Sequence, residues 1–256
     1  MKKGLLVTLV LLVVLTLTAC QNNDENTLIV LTSSGYEPYE MVDENGQLIG
    51  FDIDLMHAIA DYLEIEIVWQ DVDFDGIIAS LQMKQADVAI AGITPTEARA
   101  QIVDFSAIYY NSEAGLQNYL LFDSAQGIAA LEDLEGLVIG AQLGTIQAEL
   151  LQSLSETYGF TVDLRSTNAQ IVEEIKSNRI DGLVVESLVA NAIMAQNSFL
   201  ASWLVDVDLG HMYGNAIAFT KDSPWLEPFN EALAALEADG TLAALVTKWF
   251  EPDVAE

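Results

Sequence analysis

The sequence predicts an α/β protein of two lobes, each a mostly parallel sheet flanked by helices. Three observations predict it: short apolar runs alternate with helical periodicities, the alternation occurs twice, and two extended segments link the halves. Hydrophobic residues make up 52% of the 256, and the mean hydropathy is +0.31. That supports packed cores and argues against a disordered acidic chain, despite 39 Asp and Glu against 9 Lys and Arg. The formal net charge of −30 argues against a nucleic-acid partner, because phosphates attract basic surfaces.

The first half carries the β-α-β-α-β order. Leu28 to Leu31 reads as a buried strand, and Asp52 is placed to cap a helix with Met56, Ile59, Ala60 and Leu63 on one face. Ile65 to Trp69 reads as the next strand, Ile77 to Lys84 as a helix and Val88 to Ala91 as a third strand. The second half repeats the order without repeating the sequence. Leu137 to Gly140, Thr161 to Leu164 and Gly182 to Val185 are strands; Ile146 to Leu154, Ala169 to Ser177 and Leu188 to Gln196 are helices.

Leu116 to Phe122 and Asn215 to Thr220 read as the extended crossings. Two helices close the chain, one with Phe229, Leu233 and Leu236 on its apolar face and one with Leu242, Leu245, Val246 and Trp249. Asp239-Gly240 separates them. The chain is therefore expected to leave lobe 1 and return to it: 27–114 plus 215–256 form lobe 1, and 115–214 form lobe 2.

The first segment reads as an address. Lys2 and Lys3 precede an apolar run from Leu5 to Leu17, followed by Thr18-Ala19-Cys20. The run is shorter than the roughly 20 residues of a membrane-spanning helix. Leu17-Thr18-Ala19-Cys20 resembles a bacterial lipobox, which implies removal of 1–19 and lipidation of Cys20, with 20–26 as a polar tether. A single cysteine allows no internal disulfide and no Cys-based zinc site, and His57 and His211 lack paired metal-motif spacing. No metal or cofactor is expected.

The stretch Ala91-Gly92-Ile93-Thr94-Pro95-Thr96-Glu97-Ala98-Arg99 follows a predicted strand, the position where open α/β sheets bind ligands. Gly92 allows close backbone approach, Thr94 offers a hydroxyl, and Arg99 can grip a carboxylate with two parallel charge-assisted bonds. Taken alone, an arginine near a helix start is more often a surface ion-pair partner. Gly144-Thr145 precedes a helix, whose free N–H groups favour an anion, although a plain cap fits the same residues.

The run from Ala91 through Arg99 to Val103-Asp104-Phe105-Ser106 and Tyr109-Tyr110 resembles the extracellular solute-binding proteins for polar amino acids. Tyr36-Glu37-Pro38-Tyr39-Glu40, Gly50-Phe51-Asp52-Ile53-Asp54, Asp73-Phe74-Asp75-Gly76, Gly144-Thr145-Ile146-Gln147 and Lys248-Trp249-Phe250 match in order. The resemblance implies a periplasmic-binding-protein fold that closes about its crossings. It also implies an amino-acid ligand, an ABC importer whose permease is the partner, and a monomer anchored outside the cytoplasm by its lipid.

Residue by residue, the resemblance places a ligand carboxylate on Arg99, Thr94 and the amides near Gly92 and Thr145, beside Ala91 and Gln147. It places the ligand ammonium on Glu186, where relatives commonly carry the shorter Asp, and the ligand between the aromatic walls Tyr36 and Phe74. Ser33 falls where many relatives have Asp, and Gln142 at a position facing the ligand side chain. From residues alone, Glu186 better suits a first helical turn, Tyr36 and Phe74 ordinary core packing, and Ser33 and Gln142 plain loops.

The remaining cations fall away from the expected cleft, so an acidic ligand side chain would find no partner. A glutamine-like or cationic amino acid is therefore expected, the amide slightly ahead because Ser33 replaces the Asp that would pair a cation. An enzyme on the same fold, such as a cyclohexadienyl or arogenate dehydratase using Glu186 as proton donor, is the alternative. A binding protein without catalysis is the expectation.

Overall fold

The computed structural model describes residues 26–112, 116–207 and 214–251. The signal, Cys20, the tether up to residue 25 and His211 lie outside the described residues.

The first sheet begins with β1 (Thr27–Thr32), and its alternation explains its place at the centre of a lobe. Leu28 and Val30 point into a core with Phe51, Leu55, Met56, Ile59 and Phe229. Leu31 points to the other face, against Ile77, Leu81 and Ala89. A strand buried on both faces needs helices on both sides. These are α1 (Phe51–Leu63) with α7 (Leu226–Ala238) on one side and α2 (Ile77–Gln82) on the other. Emptying such a site, for example by Leu31→Ala, costs about 2–5 kcal/mol.

After a short antiparallel pair, β2 (Met41–Val42) and β3 (Leu48–Ile49), the first sheet is built of β4 (Glu66–Asp71), β1, β5 (Val88–Ala89), β12 (Asn215–Phe219) and β6 (Asp104–Tyr110), in that order. The second sheet runs β11 (Leu200–Leu204), β7 (Asn118–Asp123), β10 (Gly182–Glu186), β8 (Val138–Gln142) and β9 (Thr161–Arg165). Between these strands come α3 (Glu97–Ala100), α4 (Ile146–Tyr158), α5 (Asn168–Lys176) and α6 (Ser187–Gln196); α8 (Thr241–Phe250) follows α7.

The sheets are less parallel than expected. β4, β1 and β5 are parallel, as are β9, β8 and β10, but β12 runs antiparallel to β5 and β6, and β7 antiparallel to β10 and β11. The segments read as crossings cause this. They are interior strands that enter each sheet from the other lobe, and the linking chain lies between β6 and β7 and between β11 and β12.

Asp52 is not the cap expected for α1. Gly50 holds that position at φ +138°, where an added Cβ would sit 2.1 Å from the Tyr39 carbonyl oxygen. Only glycine fits so close an approach. Asp52 then falls one residue inside the helix and is fully buried. At the other end of the chain, Phe250 of α8 packs its ring on Tyr39, Phe51 and Tyr110 with centroids 5.1, 4.5 and 4.6 Å away. Trp249 Nε1 and Lys248 Nζ both donate to Asp54, pinning α8 onto α1.

Candidate ligand site between the lobes

The loops that follow the strands of both sheets converge on one cavity. Ser33 follows β1, Tyr36 and Glu40 come from the next loop, Phe74 follows β4, and Ala91, Gly92 and Thr94 follow β5. Arg99 stands on α3, whose cap Thr96 accepts from the Arg99 amide at 3.3 Å. The second lobe contributes Gln142 at the end of β8, Thr145, Ile146 and Gln147 at the start of α4, and Glu186 at the end of β10. Every residue singled out for ligand contact in the sequence lines this cavity. Glu40 and Ile146 join them without having been singled out.

Arg99 is held by both lobes. Its Nη1 donates to the Thr94 carbonyl at 2.7 Å and its Nη2 to the Gly144 carbonyl at 2.9 Å. Its guanidinium lies over the Phe74 ring, 5.5 Å from the centroid, so that wall braces the cation. Desolvation lowers the Arg99 pKa from its ordinary value, partly offset by Glu149 and Tyr36. Among the described residues, Arg99 is the only cation lining the cavity. Arg165, Lys176, Arg179, Lys221 and Lys248 pair with carboxylates elsewhere.

Two expected donors are already committed. The Gly92 amide donates to Asp52 Oδ2 at 2.7 Å, so it does not face a ligand carboxylate as the sequence suggested. The inward turn of Asp52, which sequence reading had placed at the cap, is the cause. The Thr145 amide reaches the Gln142 carbonyl at 3.4 Å. The Thr145 hydroxyl donates to the same carbonyl at 2.7 Å and caps α4 by accepting from the Ala148 amide at 3.2 Å. Gln142 Nε2 donates to Ser166 O and Gln147 Nε2 to Asn118 Oδ1, which fixes both amides at the cavity edge.

The opposite wall is acidic. Glu186 is buried, with Oε1 lacking a hydrogen-bond partner. Burial, reinforced by the Asp52 charge, pushes its pKa up to about 8 against the lowering effect of the Tyr39 and Tyr36 hydroxyls. Glu40 is fully buried and raised for the same reason, with Asp52 and Glu186 adding like charge. Tyr36 stacks on Tyr39 at 5.6 Å, tying this wall to the core beneath. No motif revealed Glu40. Glu37 and Glu40 look alike in the sequence, and the bridge between Tyr36 and Glu40 turns the latter inward.

Such a cavity can hold a small zwitterion: a guanidinium for a carboxylate, buried carboxyls for positive groups, and aromatic faces for the chain between. Among the described residues no cluster suits a metal ion, and no helix is long and apolar enough to cross a membrane.

Comparison with known proteins agrees with this geometry. The model of the bacterial extracellular solute-binding proteins, family 3, matches residues 28–252. The chain is 37% identical to the arginine-binding extracellular protein ArtP of Bacillus subtilis (strain 168), covering 98% of each. It is 32% identical to a probable histidine-binding protein of Campylobacter jejuni, covering 97% of this chain and 99% of the relative. A solved ancestral arginine-binding protein bound to arginine superposes with a TM-score of 0.81 at 35% identity, over 88% of this chain and 99% of that one. These relatives are amino-acid-binding proteins. The chain belongs to the bacterial extracellular solute-binding proteins of family 3.

Proposed function

We propose that this protein captures a cationic amino acid, arginine first, and delivers it to the permease of an ABC importer. The carrying observation is the polarity of the cavity: one braced guanidinium, Arg99, faces the buried carboxyls Glu186 and Glu40. Arg99 takes the ligand carboxylate, Glu186 the ammonium, and Tyr36 and Phe74 the carbon chain. The sequence reading favoured an amide slightly because Ser33 offered no charge. Glu40 supplies the acid that Ser33 lacks, which moves the preference to a cation. An acidic amino acid would bury a third carboxylate beside two others, a penalty of several kcal/mol.

The same reading keeps 27–114 with 215–256 as one lobe and 115–214 as the other, closing on the ligand. It places the mature chain outside the cytoplasm, held to the membrane by lipid on Cys20. Cys20→Ser is expected to release the protein from the membrane fraction or block its processing. Retention like that of the natural chain counts against the anchor.

Differential scanning fluorimetry against the free amino acids tests the function. A ligand at 100 times its Kd stabilises by about 2.7 kcal/mol. Arginine is expected to give the largest shift, and glutamate and aspartate none. A best response to glutamate or aspartate would sink this reading. Turnover of prephenate or arogenate above background would overturn the assignment as a binding protein.

A further inference from the structure

Glu40 and Glu186 line one wall of the cavity, Asp52 is buried behind them, and the protein supplies too few donors for the three carboxyls. Neither oxygen of Glu40 has a hydrogen-bond partner among the described residues. Asp52 Oδ2 accepts from the Gly92 amide at 2.7 Å and the Tyr109 hydroxyl at 2.9 Å, but Oδ1 is left without one. Both side chains are fully buried. The Asp52 amide donates to the Tyr39 carbonyl at 3.0 Å, which sets Asp52 beside Glu40, and the two carboxyls act on each other directly. Two carboxylates are acceptors only, so a bond between them needs a proton.

The surroundings make that proton necessary. Glu40 is faced by Asp52, Glu186 and Asp71 and by the hydroxyls of Tyr36 and Tyr109; Asp52 is faced by Glu40, Glu186, Tyr36 and Tyr109. No cation is among these groups, and Arg99 is engaged with the Thr94 and Gly144 carbonyls. Burial raises both carboxyls, Asp52 to about 7. An uncompensated pair of buried negative charges would cost far more than holding one proton.

We propose that Glu40 and Asp52 share one proton in the empty cavity, and that a positive group of the incoming amino acid displaces it to solvent. The O–H bond breaks, the proton passes to the buffer, and the freed carboxylate pairs with the ligand cation. Glu40 thereby becomes a binding residue whose charge exists only when ligand is present. This rests on the reading of the cavity as an amino-acid site.

The shared proton is read first on the empty protein by infrared spectroscopy. A protonated-carboxyl band at neutral pH is expected, reduced in Glu40→Gln and reduced in the natural chain by saturating arginine. Gln matches a neutral Glu in shape, so this variant is expected to fold. Calorimetry of arginine binding in buffers of different ionisation enthalpy needs no variant. It is expected to show proton release, with affinity rising by up to about tenfold per pH unit between pH 5 and 7. Buffer-independent enthalpy with pH-independent affinity would overturn the proposal. So would the lack of a band in the empty protein, or a band untouched by Glu40→Gln. Failure of arginine to bind would count against the proposed function alone, because Glu186 also contributes to the band and it is the loss on Glu40→Gln in the ligand-free protein that decides the shared proton.

Discussion

Arg99 of the first lobe donates to the Gly144 carbonyl of the second at 2.9 Å, so the side chain placed to hold a ligand also ties the lobes together. A guanidinium carries five N–H donors, and the Thr94 and Gly144 carbonyls take two bonds. Enough remain for a carboxylate.

Arg99→Ala is therefore expected to weaken arginine binding by roughly 2–5 kcal/mol, since it leaves a buried carboxylate unpaired and removes the tie. Arg99→Lys is not expected to restore it, because an ammonium cannot serve two carbonyls and a carboxylate in one plane. Titration calorimetry on the folded variants measures both. Unaltered affinity in Arg99→Ala would remove this residue from the site.

Gly144 brings the second lobe close against Asp75 of the first. It has φ +80°, and an added Cβ would come within 2.9 Å of Cα and Cβ of Asp75. Gly144→Ala is expected to hold the lobes apart and weaken binding by at least about tenfold, which is about 1.4 kcal/mol. The empty protein should lose only the backbone strain, about 1 kcal/mol. Calorimetry and thermal melting separate the two; equal affinity would show that the lobes need not approach so closely.

The acidic wall sets a pH dependence whose sign is opposite to that of an ordinary ion-paired carboxylate. Burial holds Glu186 at about 8 and Asp52 at about 7, above their ordinary values of 4.5 and 3.8. Between those limits the folded state binds more protons than the unfolded one, so stability falls as pH rises. The empty protein is expected to melt higher at pH 5.5 than at pH 8, and Glu186→Gln to flatten the slope. Scanning calorimetry tests this; a melting temperature that rises over that interval would contradict the burial of these acids.

Closure is also measurable. Besides the Arg99 bond, Gln196 Nε2 of the second lobe donates to Glu37 of the first at 2.7 Å. Both of these bonds are exposed and hold little against solvent, so the empty protein should open in solution. Small-angle scattering is expected to show a smaller radius with saturating arginine. An unchanged radius would indicate a rigid site.

The residues gathered around the cavity were legible because strand ends are legible: apolar runs stop where Ser33, Gly92, Gln142 and Glu186 begin. What escaped depends on side-chain direction. Asp52 reads as a cap because Asp is a good one, yet contact between Gly50 and Tyr39 starts the helix earlier and turns Asp52 inward. That two-residue shift decides the fate of the Gly92 amide and of Glu40. The crossings were read as links because alternation marks extension, while pairing with a distant sheet leaves no mark in the local pattern.

Strand β12 lies between β5 and β6, although it is synthesised about a hundred residues after them. The first lobe's sheet cannot be completed by its own early segment, because β5 and β6 never pair with each other. The second lobe, by contrast, is one continuous stretch from β7 to β11. On a ribosome the inserted lobe can therefore consolidate while the outer lobe waits with a gap at its centre. Strand β12 joins the two halves of that sheet, and ligand capture becomes possible only once it has emerged.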